Sequence, residues 1–258
     1  MDNYSVCWNY WKLAWIYKDE KFMAGVFEEM KNTKDLKVPK LRALVTGLTK
    51  HGKTTFASTW PKPVYTDIDR GMAALRGKDI DYEDFADIEP PKVYEAVLKF
   101  LDAVKVDPKY ETIVLDTFNR LDYYLNLTIK PSGTKFEFGE WFIKAQKNNE
   151  LLLKLMNINL MYNKNVLVLV HATIDKDENT GRMALMPALQ GSVQKSIGGY
   201  FDEIYHIEKV VKGAKREFLL SLENRDMIQA GSRFMEFTGE LVIPAHYNEI
   251  IKRAKKVE

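Results

Sequence analysis

The chain has 258 residues and a single cysteine, and its 38 basic and 36 acidic residues nearly cancel. That length suits one large α/β domain, alone or with a small appendage, and buries a sizeable core without crosslinks. The lone Cys7 excludes an internal disulfide and a cysteine zinc site and fits a reducing compartment, while the charge balance excludes a strongly basic nucleic-acid binder and leaves only local contacts on one loop or face.

Residues 1–38 read as an aromatic-rich extension or helix, with Trp8, Tyr10, Trp11 and Trp15 close together. A basic n-region and a small-residue cleavage site are both missing, so it does not read as a signal peptide. Three readings stay open: an amphipathic helix on its own domain, an arm that docks on a neighbouring subunit, or an upstream extension with Met23 as the natural start. The run 23–38 reads as a short charged helix.

A short apolar strand is expected over 41–46, followed by a glycine-rich turn at 47–52 and a helix from Lys53 to about Trp60, where Pro61 and Pro63 stop it. A second strand covers 64–67. Residues 68–90 hold five Asp and two Glu, so loops are expected there around a short third strand near 82–86. Pro90 and Pro91 open a helix to about Val104, with Val93, Val97, Leu98 and Leu101 on its apolar side. The β-branched run Thr112-Ile113-Val114 marks a buried strand over 110–116.

A helix is expected over 117–129, a loop over 131–139 and a long helix over 140–162. The apolar run 166–170, too short to cross a bilayer, belongs to a buried strand from Asn165 that ends at His171. Residues 172–192 read as an excursion in which Asn179-Thr180-Gly181 turns a hairpin. Beyond it are expected a helix over 192–200, paired strands over 203–208 and 217–222, a strand over 233–237 and a basic helix over 247–256. Domain limits follow as 1–38, a core over 39–240 and a basic C-terminal helical segment over 241–258. Alternating strands and helices imply a mostly parallel sheet covered on both faces, with an antiparallel C-terminal edge.

The segment Gly47-Leu48-Thr49-Lys50-His51-Gly52-Lys53-Thr54, with Thr55 beside it, fits G-x-x-x-x-G-K-[ST]. Glycines let backbone N–H groups turn inward around phosphates, and the following helix start adds its positive end. Lys53 would reach the β- and γ-phosphates, and Thr54 would ligate Mg²⁺. The partner acid should end a buried strand, and Ile113-Val114-Leu115-Asp116 supplies it, with Asp116 next to the same magnesium. Asp67 and Asp69 are candidates to orient the attacking water, and their side chains would share a face if the second strand continued. Guanine specificity is disfavoured. Asn163-Lys164-Asn165-Val166 lacks the acid of N-K-x-D, and no D-x-x-G follows Asp116.

With those residues the chain resembles the RecA-like core ATPases, in particular the short phage-encoded ones of the single-strand annealing and recombination type. The resemblance covers about 23–237. It implies a three-layer RecA-like P-loop core, ATP and Mg²⁺ as cofactors, and assembly into a ring or filament with ATP sites at subunit interfaces. Asp69 falls on the family's catalytic glutamate, one methylene shorter, and Asp116-Thr117 matches the end of its Walker B strand. His171 stands where the family has a γ-phosphate sensor leading into a DNA-contacting loop, here 172–195 with Lys176, Arg182 and Lys195. That loop has few charges and no aromatic for base stacking. Glu223-Asn224-Arg225 falls where the family reaches the next subunit's ATP, so Arg225 is a finger candidate, with Arg233 a second.

The implied activity is hydrolysis of the β–γ bond of ATP, linked to binding, annealing or pairing single-stranded DNA in phage recombination or replication. The expected setting is the bacterial host cytoplasm, away from membranes, with a single-strand-binding protein as a further partner. A hexameric helicase-like motor and a nucleotide-switched interaction module with little hydrolysis are the rival readings. A small-molecule kinase is the third, and it lacks an arginine-rich lid.

Overall fold

The computed structural model describes residues 40–176, 181 and 183–256. The readings for 1–38, the Asn179-Thr180 turn and Arg182 lie outside these residues. Strand β1 (Arg42–Gly47) is buried along its whole length, as are β4 (Thr112–Asp116) and the first six residues of β5 (Asn165–Lys176). With β2 (Pro63–Asp67) and β3 (Asp81–Asp84) they form a parallel set in the order β1-β5-β4-β2-β3. On the other side, β7 (Glu203–Lys212) pairs parallel to β1, and β8 (Lys215–Ser221) and β11 (Val242–Pro244) follow antiparallel. The expected α/β class holds: this is a three-layer core with a mostly parallel sheet and an antiparallel C-terminal edge.

Period-two alternation in the central strands feeds two cores. Leu44, Ile113, Leu115, Val166, Val168 and Val170 face helices α2 (Pro90–Val104), α3 (Phe118–Ile129) and α4 (Phe138–Tyr162). Ala43, Val45, Val114, Leu167, Leu169 and Tyr205 face the opposite layer, where Phe56 and Ala57 of α1 (Lys53–Ala57), Trp60 just beyond it and Met72 and Leu75 pack. Among the described residues no helix is long and apolar enough to cross a membrane.

Several expected boundaries move. Helix α1 stops at Ala57 rather than Trp60, because the Ser58 and Thr59 hydroxyls donate back to the Thr55 and Phe56 carbonyls, both at 2.7 Å, and the chain tightens into a turn. Helix α4 starts at Phe138, inside the expected loop. Glu137 and Glu140 form a capping box there, with the Glu140 carboxylate accepting the Glu137 N–H at 2.6 Å. The expected helix over 192–200 splits into α5 (Val193–Ser196) and a 3₁₀ turn (Ile197–Tyr200) that contains Gly198 and Gly199. The 3₁₀ turn Gly71–Leu75 was not expected.

The largest shifts lie toward the C-terminus. Strand β5 does not end at His171. It runs to Lys176 and pairs antiparallel with β6 (Met183–Pro187), so the expected excursion is a hairpin continuous with the core strand. The strand expected over 233–237 becomes β9 (Gly231–Ser232) on β7 and β10 (Met235–Phe237). The segment 241–258 is not one helix. It gives β11, then α6 (Tyr247–Arg253), then β12 (Ala254–Lys256), which pairs with β10. A strand partner is available at that point, and the ladder outcompetes the weak local preference for helix.

Candidate active site

The loop between β1 and α1 is shaped by two glycines. A Cβ on Gly47 would sit 2.7 Å from the Ile207 carbonyl oxygen of the neighbouring strand, so the β1–β7 approach needs glycine there. Gly52 has φ 91, and a Cβ on it would sit 2.6 Å from the Phe218 ring. This backbone curls around Lys53, whose side chain is buried. Its Nζ donates to the Gly47 and Leu48 carbonyls at 2.8 and 3.0 Å and lies 3.1 Å from His171 Nδ1. Burial lowers the Lys53 pKa to about 8 against the opposing pull of Asp116 and Asp69.

Across the pocket, Thr54 Oγ1 donates to Asp116 Oδ2 at 2.7 Å. Asp116 is 2% exposed, and burial pushes its pKa up to about 7 despite the Thr54 hydrogen bond. The register explains the proximity: β5 lies between β1 and β4, pairing His171 with Gly47 and Leu169 with Asp116. Tyr65 on β2 donates to the Thr54 carbonyl at 3.1 Å and pins α1 to the sheet.

Asp67 and Asp69 part company, because β2 ends at Asp67. The Asp67 carboxylate accepts the Gly71 N–H at 2.8 Å, and burial raises its pKa. It thereby holds the turn that returns Asp69 to the pocket. Asp69 Oδ2 lies 3.9 Å from His171 Nε2, and that imidazole holds the Asp69 carboxyl below its ordinary range. His171 therefore stands between Lys53 and Asp69. A Cβ on Gly71 would come within 3.0 Å of Asp69 and 3.7 Å of both Asp116 and Thr54, so a glycine keeps this space open.

The resulting cavity of about 350 Å³ is lined by residues 49–55, Asp69, Gly71, Ala74, Asp116, Thr117, His171 and Phe218. Gly47 and Leu48 contribute carbonyls to Lys53 at its edge. Hard oxygen donors on Thr54 and Asp116 fit a magnesium ion. The glycine-lined backbone fits phosphates. Helix α1 is too short to add much of a macrodipole, so the loop amides and Lys53 carry that fit.

Arg225 does not line this cavity. Its guanidinium pairs with Glu208, and its Nε donates to Ser221 Oγ at 3.1 Å. Arg233 donates to Asp202 at 3.0 Å, where Arg42 also binds. Lys176 lies on the hairpin, away from the pocket lining. Gly71, Phe218 and Asn119, which accepts the His171 N–H, escaped the sequence reading. Gly71 and Asn119 carry no spacing signal, and Phe218 reaches the pocket from a strand more than 160 residues downstream of the loop.

Two solved structures have a related outline. A KaiC-like protein, PH0186, from the hyperthermophilic archaeon Pyrococcus horikoshii OT3 is 16% identical, with 80% of this chain and 89% of that one covered and a TM-score of 0.42. A RadB recombinase is 17% identical, with 79% and 90% covered and a TM-score of 0.42. A search of the curated proteins finds no match. The family model of an AAA domain, AAA_24, matches residues 39–234, from three residues ahead of β1 to the residue before β10. That span covers most of the sequence and the whole pocket, and the chain belongs to the AAA_24 family of AAA domains.

Proposed function

We propose that the protein binds ATP with Mg²⁺ in this pocket, hydrolyses its β–γ bond, and uses the nucleotide state to govern a grip on single-stranded DNA. The observation that carries the reading is the convergence of Lys53, Thr54, Asp69, Asp116 and His171 on one cavity behind a glycine-shaped loop. The loop amides of residues 48–54 receive the triphosphate. Lys53 leaves the Gly47 and Leu48 carbonyls for the β- and γ-phosphates, a short swing from one set of acceptors to a more negative one. Thr54 and Asp116 would hold Mg²⁺, which would supply positive charge against the phosphate oxygens. A dication bound there would favour the ionised form of Asp116 against the effect of burial.

Asp69 orients the attacking water. Its carboxyl is kept ionised by the His171 imidazole, as an acceptor of a water proton must be. His171, relieved of Lys53, re-orients beside the γ-phosphate. Arg225 of an adjacent copy would complete the site in a ring or filament after leaving Glu208. The core over 39–240 is the ATPase unit, 1–38 the extension and 241–258 the closing segment. Support for DNA as the ligand is the position of the β5–β6 hairpin, which grows directly out of His171. The setting this fits is phage recombination, by annealing or strand pairing.

ATP hydrolysis by the purified protein, with and without single-stranded DNA and with Lys53→Ala as the blank, tests both halves. A Lys53-dependent rate raised several-fold by single strands supports the whole reading. A Lys53-dependent rate indifferent to single strands, duplex and RNA removes the DNA half. ATP binding without turnover in any condition removes Asp69 as a working base.

A further inference from the structure

Strand β5 changes partners at His171. Up to Leu169 it lies between β1 and β4, Val170 and His171 keep β1 alone, and from Ala172 onward it pairs with β6 alone. On the β4 side the ladder ends at Asp116 and Leu169, so the His171 N–H has no strand to donate to. The side chain of Asn119, in the first turn of α3, takes that place. Its Oδ1 accepts the His171 N–H at 2.6 Å, and its Nδ2 donates to the Ala188 carbonyl. The Ala188 N–H in turn donates to the His171 carbonyl at 2.7 Å. One carboxamide thus closes a ring of hydrogen bonds between α3, the pocket histidine and the residue that follows β6.

The far end of this ring is continuous with another segment. The Leu185 N–H of β6 donates to the Met227 carbonyl at 2.8 Å, and Arg225 and Ile228 bond each other in both directions. Strand β6 therefore ties His171 to the turn that carries Arg225. Few side chains suit such a joint: an amide both accepts and donates in one plane, whereas a carboxylate only accepts and an ammonium only donates.

We propose that Asn119 is the positioning residue that transmits occupancy of the phosphate pocket, through His171, to the β5–β6 hairpin. The proposal rests on the reading of the pocket as a nucleotide site. When a triphosphate draws Lys53 away, the contact at 3.1 Å between Nζ and His171 Nδ1 is lost and the imidazole is released to re-orient. Because Asn119 and Ala188 clamp the His171 backbone, the displacement passes to β6 instead of being absorbed at a loose strand end. A ligand shifts such an equilibrium only through a contact that differs between the two states, and the Lys53–His171 contact is that difference.

The test is hydrogen exchange of residues 172–176 and 183–187, with and without Mg²⁺ and a non-hydrolysable ATP analogue, in the wild type, Asn119→Ala and Asn119→Asp, alongside the analogue's Kd. Wild-type exchange in the hairpin is expected to change by about fivefold or more on binding, a common size of coupling between sites. Asn119→Ala should bind the analogue within about threefold of wild type, with the hairpin response reduced to less than about twofold. Asn119→Asp keeps the acceptor for the His171 N–H and loses the donor to Ala188. It should show the same loss, and it carries the test if the alanine variant fails to fold. A variant that binds the analogue and keeps the full response overturns the proposal. So does a wild-type hairpin that ignores a bound analogue, with the nucleotide site left standing. A wild type that binds no analogue overturns the nucleotide reading and the coupling together.

Discussion

Strand β5 is two strands in one. Its first six residues are buried, residues 166–169 are paired on both sides, and the two ladders set Gly47 beside His171 and Asp116 beside Leu169. Its last five pair with β6 alone, and Ile174 there is 53% exposed. A strand clamped from both sides suits chemistry that tolerates little displacement. A strand with one partner and a wet face opens at lower free energy and suits a responding element. The molecule places one directly after the other, with the pocket histidine at the join.

The sharpest way to separate the two halves is to remove Lys53. Lys53→Ala should lower ATP hydrolysis on the order of a thousandfold, ~4 kcal/mol of transition-state stabilisation, because a preorganised donor to developing charge is lost. Its denaturant midpoint should not fall, since burial already disfavours the Lys53 charge and the substitution removes that cost. A rate within tenfold of wild type would mean that the pocket's chemistry lies elsewhere.

The two halves of β5 should also differ in what a truncation costs. Leu167→Ala, in the doubly paired half and with 0% exposure, should cost about 3 kcal/mol in urea unfolding. Ile174→Ala, on the projecting half, should cost under about 0.5 kcal/mol. Equal costs would show that the hairpin is as firmly built as the core and would weaken its reading as a responding element.

A narrower break concerns Asp69. Asp69→Asn keeps the shape facing His171 and removes the charge proposed to accept a water proton. It should lower kcat by about a hundredfold, within the usual range for a general base, while nucleotide Kd changes less than about threefold. An unchanged kcat would show that the shorter carboxylate never reaches the water, and the nucleotide-switched module would then be the better reading.

The clamped half was legible in the sequence because its signals are local. A P-loop spelled out in eight consecutive residues, an apolar run ending in Asp116 and another ending at His171 are each visible without knowing the fold. What escaped needed long-range pairing. Nothing around Lys176 says that β5 continues, because its exposed half is stabilised by β6 rather than by its own pattern. Asn119 reads as an ordinary residue after Asp-Thr until β5 and Ala188 are brought to it. Strand geometry alone would put Asp67 and Asp69 on one face, and the turn held by Asp67 itself sets them in different surroundings. Only the family resemblance points to Arg225, and within its own chain it pairs with Glu208.

The smallest effect probes the other side of the clamped region, the seam between β1 and β7. Thr46 Oγ1 lies 2.9 Å from His206 Nδ1 there, and burial lowers the His206 pKa from 6.5 to about 4, with His51, Lys53 and Arg225 adding repulsion. Between those values the unfolded chain holds the proton and the folded chain does not, so stability must fall as pH drops from 8 toward 5. The loss from this group should be about 2 kcal/mol over that range. Asp116 and Glu203, whose pKa values burial raises to about 7, push the other way and gain stability as the pH falls. They are common to the wild type and His206→Gln, so they cancel in the difference between the two. His206→Gln should therefore close on or overtake the wild type by about 2 kcal/mol between pH 8 and pH 5, measured by urea unfolding at each pH. Parallel stability curves would mean that His206 is protonated in place and that the β1–β7 seam gives way to solvent. The seam would then belong with the hairpin rather than with the clamped half of the sheet.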